Sequence, residues 1–209
     1  MRKVSIEEIE AAKTEKGGWT RAQLALWGVP WPPPKGWKER LISGVGEASE
    51  PDEFELVIED ALRALAGRSE AALWTNATWT QEVRATIGAL VRDRGYEWYA
   101  TDRGLSQEWL WDGAAWVQRN GWVIRQSLVM ESEWGGPESV KDDFQRLMVA
   151  RAEHRLMIFG AYSERNAEKI IGELIEHLGR FEQSLPRDRY LFACWLNDKR
   201  AFMFRVHVT

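Results

Sequence analysis

Residues 108–134 read EWLWDGAAWVQRNGWVIRQSLVMESEW, and the pairing of the two halves of this stretch decides the fold. Asn-Gly between apolar runs is a strong short-range hairpin signal. Glu108–Val117 and Trp122–Trp134 are therefore expected to be adjacent antiparallel strands around Asn120-Gly121. With these two residues as the loop, Asp112 falls opposite Val129. Side chains alternate along a strand, so Glu131 and Glu133 share a face. Asp112 shares it too, as the diagonal neighbour of Glu131, about 7–8 Å away at Cα. Trp109, Trp111, Ile124, Leu128, Met130 and Trp134 take the other face. A one-residue slip would bury the acids and expose the apolar set, so the pattern itself argues for this register.

The flanking sequence extends this hairpin into a domain. A helix opens at Thr78 or Thr80 and runs to Arg94, with Val83, Ile87, Leu90 and Val91 on one face. Tyr96–Thr101 reads as a short strand. Gly135-Gly136 ends the second hairpin strand, and Pro137 starts a helix to about Ala152. Arg155–Ala161 suits a buried strand, Ser163 caps a helix to about Gln183, and Arg189–Leu196 and Arg200–Val208 form a last hairpin around Asn197-Asp198. This order implies an α/β fold, a mixed sheet flanked by helices, over residues 78–209. Residues 1–45 read as a small helical module rich in Trp and Pro, with Ser5 and Thr20 as helix caps. Residues 46–77 hold a linker and a connecting helix, Pro51–Ala66. Its Phe54, Ile58, Leu62 and Leu65 are expected to pack on the sheet domain.

Composition narrows the class. The 209 residues are 44% hydrophobic and 29% charged, which excludes a disordered or fibrous chain. No apolar run reaches the length of a membrane span, and the N-terminus lacks the apolar core of a secretory signal. The single cysteine, Cys194, has no partner for an internal disulfide. A cytoplasmic protein is expected. A net charge of −4 excludes a general basic coat for nucleic acid, so any contact with DNA must come from a local patch or through metal ions. Thirteen tryptophans suit core filling, interfaces and base stacking alike.

Three convergent carboxylates repel one another and either take up protons or bind a cation. All-oxygen ligands with room for water suit Mg²⁺ or Mn²⁺, and such an ion could activate water against a phosphodiester. Trp109–Asp112, Val129–Trp134, Asp143–Leu147 and Arg155–Phe159 together resemble the PD-(D/E)XK, or restriction-endonuclease-like, nuclease superfamily. The resemblance covers roughly residues 78–161. It implies an αβββαβ core, an acid near a strand bend (Asp112) and an acid-x-Lys on the next strand (Glu131, with Glu133 in the lysine's place). It also implies an additional acid on the first helix, Glu82. Some restriction enzymes of this fold carry Glu-x-Glu. The function implied is metal-dependent hydrolysis of DNA, of restriction or repair type in a bacterium or phage. Asp112, Glu131 and Glu133 would hold Mg²⁺ or Mn²⁺, and a homodimer is one assembly compatible with that function. Lys141 and Arg146, on the next helix, could replace the missing lysine by pointing back at the acids. Asp143 most simply pairs with a neighbouring base.

The N-terminal module offers a second contact surface. Thr20–Val29 resembles the first helix and turn of a helix-turn-helix, with a Pro run where the second helix belongs. Arg21, Lys35, Lys38 and Arg40, interleaved with Trp19, Trp27, Trp31 and Trp37, form a candidate phosphate-contacting and stacking surface. The alternative is a mini-core in which those tryptophans pack on the prolines. For the whole chain, the alternatives to an enzyme are a catalytically inactive nuclease-fold protein that binds nucleic acid or protein, and an interaction protein with a Trp-rich surface. His154, His177 and His207 show no ligand spacing and carry no assigned role.

Overall fold

The computed structural model describes residues 4–29, 31–33, 36–43, 49–100 and 110–209, with the side chains of residues 39, 40, 43 and 72 left aside. Three short helices come first: α1 (Ile6–Ala11), α2 (Arg21–Leu26) and α3 (Trp37–Ser43). Ser5 and Thr20 each close a reciprocal capping box, with Glu8 and Gln23, which satisfies amides that so short a helix leaves bare. Val4, Ile9, Leu24, Val29 and Leu41 form their own small core under Trp19, Trp27 and Trp37.

Next come α4 (Glu53–Ala66) and α5 (Asn76–Asp93), then strands β1 (Glu97–Ala100), β2 (Gly113–Arg119) and β3 (Trp122–Glu133). They are followed by α6 (Pro137–Met148), β4 (His154–Ala161), α7 (Glu164–Leu178), β5 (Arg189–Leu196) and β6 (Ala201–Val208). The strands form one sheet in the order β1-β2-β3-β4-β5-β6. β1, β2 and β3 are an antiparallel meander, β3, β4 and β5 are parallel through the α6 and α7 crossovers, and β6 returns antiparallel. The run α5-β1-β2-β3-α6-β4 is the αβββαβ order expected from the sequence, in a mixed sheet flanked by helices.

Both faces of the sheet are covered. Alternate residues of β4 show why: Leu156 and Ile158 pack with α4 and α5, while Met157 and Phe159 pack with α6 and α7. Ile58, Leu62 and Leu65 of α4 are buried in the first of these cores and Phe54 is packed against it, as the periodicity requires.

This cover corrects the expectation of one apolar face and one open face on the β2–β3 hairpin. Leu128, Met130 and Trp134 do belong to the α4/α5 core, but Trp111 packs against the α6/α7 core. Ile124 is half exposed near the hairpin tip, and Trp109 lies outside the described residues. Val129 and Glu131, facing α6, are as buried as Leu128 and Met130.

The register also differs in detail. Arg119 pairs with Trp122 and Gln118 with Val123, as the Asn120-Gly121 turn dictates. Val117 then pairs with Arg125, skipping Ile124, and Ala115 pairs with Leu128, skipping Ser127. Each bulge adds one residue to β3, so Gly113 reaches Met130 and the next step places Asp112 across from Glu131, not Val129. Two shifts of one residue restore the original parity, so the acids stay on one face and come closer.

A candidate acidic centre

The site lies where β2 begins and β3 ends. Gly113, the first residue of β2, is required there: a Cβ would sit inside the Trp98 indole and against Met130. Gly88 on α5 makes room for the other side of the same indole. Trp98 thus wedges β1 between α5 and β2, and the chain just before Gly113 is held in place. That chain carries Asp112. Its Oδ2 accepts the Ser132 amide at 2.9 Å, its own amide points at Glu131 Oε2 at 3.4 Å, and Oδ1 is ion-paired with Arg84 of α5.

Glu131 is the centre of the cluster and only 1% exposed. Burial, with Asp112 and Asp143 beside it, pushes its carboxyl up to about 8. Oε1 has no hydrogen-bond partner; Arg146 Nη1 lies 3.6 Å away, within ion-pair range only. Asp143 and Arg146 sit one turn apart on α6 and pair at 2.7 Å. Asp143 is pushed up to about 6 by burial and by Glu133, against the pull of Arg146. The Trp111 indole donates to the carbonyl of Arg146 at 2.9 Å, tying this turn of α6 to the segment that bears Asp112. Glu133 accepts the Gly135 amide through Oε1, which fastens the turn from β3 into α6, and its carboxyl lies beside Asp143.

Of the residues singled out in the sequence, Asp112, Glu131 and Glu133 lie together, joined by Asp143 and Arg146. Lys141 does not join them. It is ion-paired with Glu138 and with Glu173 of α7, and Arg146 is the α6 cation that turns back to the acids. Glu82 is held by Arg68, and α5 sends Arg84, not Glu82, to Asp112. Arg84 carried no signal in the sequence, because its partner is 28 positions away.

In the N-terminal module Lys38 is committed to Glu10 at 3.0 Å and to the face of Trp19, and Arg21 is exposed at the start of α2. Lys35 and the side chain of Arg40 lie outside the described residues. Trp19 and Trp27 both pack on Trp37, the arrangement of a mini-core.

A second group of ligand-type side chains is tighter. Asp52, Glu55 and His154 bring one ligand atom each within 4.8 Å of one another, and no three of the acids around Glu131 do so. The tight group already has its cation, Arg189. Asp52 and Glu55 cap α4 reciprocally, Arg189 is ion-paired with both, and His154 Nε2 lies 2.8 Å from Asp52. It fastens the start of α4 to β4 and β5 across 102 residues of sequence, a contact no local pattern announces. The acids around Glu131 are not so balanced: four carboxylates face two guanidiniums, leaving two formal negative charges. No protein-family model, curated protein or solved structure matches the chain.

Proposed function

We propose that the protein is a nuclease that hydrolyses phosphodiester bonds in DNA with the help of Mg²⁺ or Mn²⁺. The observation that supports this reading is the carboxylate of Glu131, buried among other acids with an oxygen that no donor satisfies. The chain has other means of balancing a buried acid, as Arg189 does for Glu55. At Glu131 it leaves an all-oxygen donor set with a charge deficit equal to that of one divalent cation. Such a set fits a hard ion, and Asp112, Glu131 and Asp143 would hold it. When bound, the ion would supply a water of lowered pKa and neutralise charge building on the scissile phosphate.

The chain's own residues have separate tasks in this reading. The Ser132 amide and Arg84 fix the carboxylate of Asp112 in one orientation. Arg146, 46% exposed at the rim, presents a guanidinium to an incoming phosphate, the role that the family resemblance gives to a lysine at position 133. Glu133 holds the turn into α6 and adds its negative charge beside Asp143.

The test is cleavage of plasmid and oligonucleotide DNA with Mg²⁺ or Mn²⁺, by wild type and by Glu131→Ala. Cleavage by wild type that chelators abolish and Glu131→Ala lacks is the expected result. Equal cleavage by both proteins, or no Mn²⁺ affinity by calorimetry, overturns the proposal.

One observation favours a second reading, a nuclease fold that binds but does not cut. Arg146 already pairs with two of the acids, and no lysine follows Glu131. If that reading holds, wild type binds DNA without cleaving it, and Glu133→Lys gains cleavage.

A further inference from the structure

We infer that the cavity at the carboxyl ends of β3, β4 and β5 binds a nucleotide of the strand that the acidic centre acts on. This rests on the nuclease reading for its biological meaning, but the cavity stands on its own observations. Its volume is about 440 Å³, within the range of small-ligand sites. It opens where three parallel strands end side by side, the crevice in which open α/β sheets commonly hold ligands.

The lining chemistry is that of a nucleotide. Trp74 and Trp134 supply partly exposed indole walls, and Tyr162, 74% exposed, adds a third ring to the lining. Stacking on such rings is available to any base. Asn76 and Asn197 place exposed amides on the lining; Asn76 Nδ2 already donates to the Trp134 carbonyl at 3.4 Å, which leaves it one N–H and its oxygen for a base edge. Arg200 adds an exposed guanidinium with no ion-pair partner among the described residues, which suits a phosphate. Among the described residues no carboxylate lines the cavity, in a chain whose net charge is −4.

Two contacts join the cavity to the acids. Gly135, on the lining, donates its amide to Glu133. The Trp134 indole donates to Ser132 Oγ at 3.1 Å, and the Ser132 amide holds Asp112. A strand with its phosphate at Glu131 thus has an aromatic, amide-lined recess within the same turn of chain. A base turned out of its stack would fill that recess.

The test is a titration in EDTA, so that cleavage does not enter, following tryptophan fluorescence. The probes are dAMP, dTMP and a short single-stranded oligonucleotide. Saturable quenching is expected, with the oligonucleotide binding more tightly than either monophosphate. Arg200→Asn, which keeps a residue tolerant of the positive φ of 49° found there, should weaken binding roughly tenfold. Tyr162→Ala should weaken it about fivefold or more. Both cavity substitutions are at exposed positions, so loss of folding does not enter. Absence of saturable quenching, or equal affinity in wild type, Arg200→Asn and Tyr162→Ala, overturns the inference. Monophosphate binding with no gain for the oligonucleotide overturns the strand-borne occupant in favour of a free nucleotide. Intact binding in a wild type that cleaves no DNA would fail the nuclease reading and leave the nucleotide site standing.

Discussion

Replacing Glu131 by Gln should make the metal-free protein more stable at neutral pH. Unfolded, this carboxyl titrates near 4.5; folded, burial and the neighbouring acids push it up to about 8. Between those values the native state holds a proton that the unfolded state has released, so stability falls as pH rises through this window. The loss is about 3 kcal/mol at pH 7 and about 5 kcal/mol above pH 8. Against the 5–15 kcal/mol typical of a whole domain, that is a large fraction. Gln is neutral at every pH and carries no such loss. The difference in unfolding free energy, Glu131→Gln minus wild type, should therefore be near zero at pH 4.5 and grow to about 3 kcal/mol at pH 7. Urea titrations at several pH values in EDTA measure it. Taking the difference between the two proteins cancels the other titrations, such as His207, which burial and Arg205 lower to about 4. Mn²⁺ competes with the proton, so it should stabilise wild type more at pH 8 than at pH 5.5, and Glu131→Gln less at both. A difference that stays flat from pH 4.5 to 8.5, or Glu131→Gln proving the less stable at pH 8, would refute the assignment of Glu131 as a charge-starved carboxyl.

Gly88→Ala and Gly113→Ala each put a methyl group into the Trp98 indole and should cost about 1–3 kcal/mol, read by urea denaturation. A smaller residue at position 98 should recover part of the Gly88→Ala loss. Arg84→Met removes a cation paired with Asp112. The apo protein should lose about 1–3 kcal/mol while affinity for Mn²⁺ by calorimetry rises, because the acids then carry one more uncompensated charge. Cys194 is fully buried and its thiol is pushed up to about 12, so a thiol-reactive dye should label it only on unfolding.

Much of the fold was legible because its signals are local. Asn120-Gly121, Pro137 after two glycines, and Ser163 mark boundaries through backbone chemistry at single positions, and the structure has turns or helix starts at all three. The alternation on β3 was legible only in part. Leu128-Val129-Met130 is a continuous apolar run, the pattern of a strand buried on both sides, and the acids drew attention to one face of it. The bulges at Ser127 and Ile124 have no composition signature, so the turn alone put Asp112 across from Val129, two positions short of Glu131. The nearness of Asp112 and Glu131 followed from strand parity. Arg84, the turning of Arg146 toward the acids and the Asp52–His154 contact arise from tertiary packing across 28, 15 and 102 positions, and no periodicity encodes them.

The paired bulges also set a rule for insertions and deletions in this hairpin. Deleting Ser127 or Ile124 removes a bulge together with its extra residue, so every later pair is unchanged and Asp112 stays across from Glu131. Deleting both leaves a regular hairpin with the same pairs, Gly113 with Met130 and then Asp112 with Glu131. The acidic centre therefore tolerates single deletions at the two bulges, whereas a residue lost from a paired position and not taken up by a bulge shifts Asp112 by one and turns its carboxylate toward the α4/α5 core.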